Sequence, residues 1–153
     1  MKLANSRKRV RIRRAEPADA TALAVLATQL GYPTSREEAR RRMCRLAGSS
    51  ADAVFVAEAA GKKVVGWVHV SANHLLESET RAEINGLIVD ERCRSAGAGK
   101  RLLRQVELWA REHGCAAVNL RSNVIRERAH KFYLRNGYQP YKTQMAFRKK
   151  LRP

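Results

Sequence analysis

Residues 83–112 constrain the fold more than any other stretch of the chain. An apolar run from Glu83 to Val89, rich enough for a buried strand, leads into the basic loop Arg92-Cys93-Arg94-Ser95-Ala96-Gly97-Ala98-Gly99. Behind it, Leu102, Leu103, Val106, Trp109 and Ala110 recur at helical spacing, and Gly114 ends the pattern. The spacing predicts strand, tight loop and long amphipathic helix in direct succession. The glycines fall at the helix start, where they let the backbone bend sharply and approach a ligand closely. The N–H groups of a first helical turn converge there, and the helix dipole favours an anion. Arg92, Arg94, Lys100 and Arg101 add positive charge, which makes a diphosphate the natural guest.

Spacing alone also suits a softened strand-to-helix turn that binds nothing. Two commoner phosphate loops fail on particular residues. A Walker A loop needs glycine where Arg94 stands and Ser or Thr where Arg101 stands; a dinucleotide fingerprint needs a small residue where Leu102 stands.

The rest of the chain reads as one mixed α/β domain over residues 10–153, preceded by a loose basic tail, Met1–Arg9. Val10–Arg14 alternates as a strand does. Pro17 opens a helix bearing Leu23, Leu26 and Leu30, closed by Gly31. Ser35 and Glu38 form a capping box for a second helix, with Ala39, Met43 and Leu46 facing inward. Residues 53–59 and 64–71 read as strands joined at Gly61, and 116–121 as another. A helix over 126–136 carries Ala129, Phe132 and Tyr133, and strands over 138–141 and 143–149 close the chain.

A chain of 153 residues, 44% hydrophobic, buries roughly 68–70% of its unfolded surface and needs no disulfide or metal staple. No apolar run approaches the ~20 residues that span a bilayer, and no apolar core follows the basic start, so membrane and secreted classes are set aside. Three separated cysteines (Cys44, Cys93, Cys115) suit idle thiols in a reducing cytoplasm, and the four histidines show no metal spacing.

The pattern Arg94-x-x-Gly97-x-Gly99 between an apolar strand and an amphipathic helix resembles the acyl-CoA-binding motif of the GNAT superfamily of N-acetyltransferases. The order of elements from Val10 to Leu151 matches as well. The resemblance implies a mostly antiparallel, twisted sheet of six to seven strands flanked by about four helices, splayed between its two central strands. It implies acetyl-CoA as cosubstrate and no metal. The pyrophosphate is assigned to Arg94, Ser95, Ala96, Gly97, Ala98, Gly99 and Lys100, and the pantetheine arm to Leu87, Ile88 and Val89. Where the family often has an asparagine contacting that arm, this chain has Arg126; Asn119 or Asn123 is the substitute, with Ala129 also on the cofactor side.

An alkylamine with a pKa near ~10.4 must lose a proton before it attacks a thioester. Glu83 lies in an apolar strand, shielded from water, and looks like the general-base glutamate of histone-type members; as residues alone it also suits an edge carboxylate facing solvent. Tyr133 lies in a segment similar to the family's fourth motif, whose tyrosine serves as acid to the leaving thiolate. Read cold, its aromatic pair is what a core face looks like.

The resemblance therefore implies direct transfer from acetyl-CoA to a primary amine, of a small molecule or a protein, in a ternary complex, and it allows a homodimer. A formal net charge of +17 raises two alternatives, a nucleic-acid- or nucleoprotein-binding module and a catalytically silent acyl-CoA-binding fold. The Arg-rich helix (Arg36, Arg40, Arg41, Arg42, Arg45) carries no aromatic residue, against the first. Glu77, Glu79, Glu83, Asp90 and Glu91 form a local acidic set expected to draw a cationic acceptor.

Overall fold

The structure is a computed structural model that describes residues 9–152; of the expected basic tail, residues 1–8 lie outside the described residues. The chain divides after Arg121 into two compact units.

In the first unit, β1 (Arg11–Arg14), β2 (Asp52–Ala59), β3 (Lys63–Asn73), β4 (Arg81–Val89) and β5 (Val118–Leu120) form one sheet in sequence order. Neighbours are antiparallel from β1 to β4, and β5 runs parallel to β4. Three helices belong to this unit: α1 (Ala20–Leu30), α2 (Arg36–Ala47) and α3 (Ala98–Glu112).

Local chemistry sets these boundaries. The α1 helix ends at Gly31, whose φ of 105° places it in the left-handed region that favours glycine. Ser35 and Glu38 make the expected capping box: the Ser35 hydroxyl accepts the Glu38 N–H at 3.1 Å, and the Glu38 carboxylate accepts the Ser35 N–H at 2.9 Å. Arg13 joins β1, β2 and the turn before α1 by donating to Glu58 and Asp19, each at 2.8 Å.

The sheet is covered on both faces. On one, Leu23, Ala24, Ala39 and Met43 of α1 and α2 pack with Val54, Val56 and Trp67. Strand alternation turns Phe55, Ala57, Val68 and Val70 to the other face, where all are buried and α3 packs across β2, β3 and β4. The helical spacing read from the sequence is what buries Leu102, Leu103, Val106, Trp109 and Ala110 of α3.

One departure from regular pairing matters for the site. β4 pairs with β5 only over Ala82–Ile84, then continues five residues further to Val89. Where that ladder stops, β4 also bulges: Ile84 faces Val70 and Gly86 faces His69, so Asn85 is an extra residue. This is the expected splay, with β5 at the sheet edge.

The second unit carries α4 (Glu127–Arg135), on which Phe132 and Tyr133 meet edge to face at 5.2 Å between centroids. Tyr138 meets Tyr133 in the same way at 5.9 Å. The strands expected over 138–141 and 143–149 are not formed, so the sheet has five strands among the described residues where six to seven were expected. The apolar alternation is real, but Met145, Phe147 and Leu151 are exposed. A strand needs a neighbour's N–H and C=O groups as well as the pattern.

Candidate active site

Leu87, Ile88 and Val89 end β4, and Asp90 turns the chain. The buried Asp90 carboxylate accepts the Arg92 N–H at 3.0 Å and the Arg92 guanidinium at 3.3 Å. These bonds, the backbone one foremost, hold its pKa below the usual range. A short 3-10 turn, Glu91–Ala96, leads to Gly97, whose φ of 77° suits glycine. Gly97 is the N-cap of α3, and no side chain caps the helix start. The first helical N–H groups, beside the small buried residues Ala98 and Gly99, are left for a ligand. This cradle fits a diphosphate.

The four cations assigned to the loop divide in two. Arg92 is engaged by Asp90, and the Arg101 guanidinium donates to the Val10 carbonyl. Arg94 and Lys100 stand exposed at the helix start. The side chain of Ser95 lies outside the described residues.

Glu83 lies between Ser71 of β3 and Asn119 of β5, in the interior of the sheet. Its side chain is 12% exposed, and Oε1 sits 3.2 Å from Nε of Arg121. The carboxylate is therefore sheltered but paired, and not the edge group that its residue type alone allowed. The acidic set changes in consequence. Glu83 and Asp90 already answer arginines, while Glu77, Glu79 and Glu91 are exposed. Two of the five carboxylates meant for a cationic acceptor are occupied.

Sequence reasoning missed a feature that reaches β4 at Asn85, two residues along the strand from Glu83. A cavity of about 300 Å³ opens on the α1–α2 face of the sheet. Leu23, Leu30, Met43 and Leu46 wall it from the helices, and Trp67, His69 and Asn85 lie on its sheet side. His69 Nε2 is 2.8 Å from Asp52 Oδ1, and Asp52 also accepts the Ser49 hydroxyl at 2.7 Å. Asn85 donates to Ser71 Oγ at 2.9 Å. A Cβ at Gly86 would fall 2.9 Å from the Trp67 ring, so only glycine lets that indole lie across β4. The Trp67 indole nitrogen is buried and has no hydrogen-bond partner among the described residues. Alternation in β2 and β3 could have flagged Asp52 and His69 as sharing a face; nothing in the sequence pairs them.

In the second unit, burial pushes the Tyr133 hydroxyl above its ordinary pKa, opposed by nearby Arg126. Its phenol is thus kept as a proton donor. Asn123 is turned onto its own loop: its side-chain oxygen accepts the Ile125 N–H at 3.2 Å, and its carbonyl meets His130 Nε2 at 2.9 Å. Asn119 lies in β5 opposite Glu83, and Ala129 is half-buried on α4. Among the described residues no group of histidine, cysteine and carboxylate side chains could hold a metal, and no helix is long and apolar enough to cross a membrane.

Known proteins share this fold. The family model for "Acetyltransferase (GNAT) family" matches residues 20–138. An aminoglycoside N(6')-acetyltransferase type 1 of Stenotrophomonas maltophilia is 30% identical over 93% of this chain and 94% of its own. An aminoalkylphosphonate N-acetyltransferase of Salmonella typhimurium is 36% identical over about half of each chain, 50% and 51%. The crystal structure of an aminoglycoside N-acetyltransferase in complex with CoA superposes with a TM-score of 0.85 at 18% identity, covering 97% of this chain and all of the other. An uncapped glycine-started helix behind a splayed strand, in a chain matched over most of its length, makes the protein a member of the GNAT acetyltransferase family, an acetyl-CoA-dependent N-acetyltransferase.

Proposed function

We propose that residues 94–100 hold the pyrophosphate of acetyl-CoA and that the unpaired edge of Leu87–Val89 receives the pantetheine arm. The observation that supports this most is the early end of the β4–β5 ladder at Ile84, directly upstream of the uncapped start of α3. Asn119 is a better candidate for a side-chain contact to the arm than Asn123, whose oxygen serves its own turn. Ala129 keeps its assignment to the cofactor side.

Bound acetyl-CoA supplies a thioester whose carbonyl carbon the acceptor nitrogen attacks, the C–N bond forming as the C–S bond breaks. Glu83, directly or through one water, takes the proton that the primary amine loses. Tyr133 gives its phenol proton to the departing thiolate. Each group is typically worth ~10²–10⁴ in rate. The acceptor enters by the α1–α2 cavity, whose sheet side includes Asn85, two residues along β4 from Glu83.

Initial velocities of thiol release, with both substrates varied, test the ternary complex. Intersecting double-reciprocal lines are expected; parallel lines would mean an acetylated enzyme and overturn direct transfer.

For the assembly we infer a homodimer in the cytoplasm. Tyr141, Met145, Phe147 and Leu151 lie two or four residues apart on an exposed, strand-patterned segment that a second copy of this chain would cover. The three cysteines are free thiols, which suits a reducing compartment. Sedimentation equilibrium should give twice the 17.3 kDa chain mass; a monomer at every concentration overturns the dimer.

A further inference from the structure

The α1–α2 cavity carries a statement about the acceptor that the chain's relatives do not make. Its walls are mainly apolar, with Leu23, Leu30, Met43, Leu46 and Trp67 among the lining residues. Among the described residues no carboxylate lines it; Asp52 stands behind His69 and is committed to that ring and to Ser49. Among the described lining residues the charged side chain of fixed sign is a cation, Arg42, exposed on α2 and 3.9 Å from Glu38. A polycation entering here would shed water from several ammonium groups against apolar walls, beside Arg42, with Glu83 beyond Asn85 able to answer only one of them. A volume of about 300 Å³ is at the small end of ligand sites, which run from roughly 300 to 1,000 Å³.

We propose that the acceptor is a small hydrophobic monoamine: a primary amine on an aryl or branched-alkyl body, with a single positive charge. The body packs between Leu30, Met43 and the Trp67 ring, whose close approach to β4 Gly86 permits. The amine meets the polar side chains on the sheet, His69 of β3 and Asn85, which lies two residues along β4 from Glu83. This deepens the acetyltransfer reading and rests on its placement of the acceptor in this cavity.

The test separates binding from turnover. 2-Phenylethylamine and spermidine are each titrated into the protein without acetyl-CoA, followed by quenching of tryptophan fluorescence, and then compared as substrates by thiol release. The expected result is saturable quenching by 2-phenylethylamine alone, and a kcat/KM at least ~10-fold above that for spermidine, the low end of pocket discrimination. Ala27→Phe, at a half-buried lining position, should weaken 2-phenylethylamine binding while the melting shift with acetyl-CoA is kept. Arg42→Glu should raise kcat/KM for spermidine about fivefold, as expected for reversing an exposed charge.

Preferential acetylation of spermidine, or of an aminoglycoside such as kanamycin, would overturn the monoamine and leave the acetyltransfer reading standing. Saturable binding of 2-phenylethylamine, blocked by Ala27→Phe but with no acetylation of any amine, would uphold the pocket and overturn the proposed catalytic roles. Absence of both binding and turnover with 2-phenylethylamine would overturn the inference.

Discussion

Nε of Arg121 lies 3.2 Å from Oε1 of Glu83, in a pair whose arginine is 82% exposed and whose carboxylate is 12% exposed. The two charges meet at the mouth of the strand separation, since Arg121 directly follows β5. An arginine this exposed is screened and free to swing away, so the pair holds the carboxylate without burying it in an ion pair.

Arg121→Gln should therefore change stability by less than about 1 kcal/mol. Glu83→Gln should lower kcat by about 10²–10⁴ and leave the acetyl-CoA-induced melting shift intact. Steady-state kinetics beside thermal melts check both. A kcat unchanged in Glu83→Gln would remove this residue from the chemistry.

Tyr133 is kept protonated by burial, which gives a sign for pH dependence. A pKa raised above the unfolded value of 10 gives a contribution to stability fully present below pH 10 and lost as pH climbs through the folded value. Tyr133→Phe should remove that alkaline loss and lower kcat by at least ~10². Urea melts from pH 8 to 11 and a kcat–pH profile measure the two effects. A wild-type kcat in Tyr133→Phe would confine this tyrosine to packing.

Asp19 is held below its ordinary pKa of 3.8, first by the Arg13 side chain, while Arg13 is raised in turn. A depressed carboxylate stabilises the fold fully above pH 3.8 and loses that contribution as pH falls through the lower folded value. Asp19→Asn should cost about 2 kcal/mol at neutral pH, since the Arg13 guanidinium keeps Glu58 but loses its charge-assisted pair with Asp19, and should flatten the acid limb below pH 4. Denaturant titrations at pH 7 and pH 3 distinguish this from a merely local effect.

Gly97 has room around a would-be Cβ but a φ of 77°. Gly97→Val should cost about 1–2 kcal/mol through the left-handed backbone alone. It should also abolish the acetyl-CoA melting shift by tilting the first N–H groups of α3. Retention of the full shift would mean that the loop conformation is not what holds the cofactor.

Much of this site was legible because its signals are local. Gly31, the Ser35–Glu38 box and the α3 stripe each act within one or two helical turns, and each appears where the sequence places it. The strand–loop–helix cradle is equally local. What escaped depends on distant partners: Asp52 meets His69 across two strands, and Arg121 reaches Glu83 across β4 and β5. The α1–α2 cavity is built from five elements and has no linear motif. Residues 138–149 show the opposite failure. Their alternation is strand-like, but pairing depends on a neighbour that a pattern cannot supply.

Whether the Arg94–Lys100 cradle is a specific cofactor site can be read from the melting temperature. The protein is melted at about 0.15 M salt alone, with acetyl-CoA, and with inorganic polyphosphate as a charge control for the net +17. A saturable rise with acetyl-CoA that polyphosphate does not reproduce is the predicted result. Equal shifts from both, or a response to polyphosphate alone, would show charge attraction without a cofactor site.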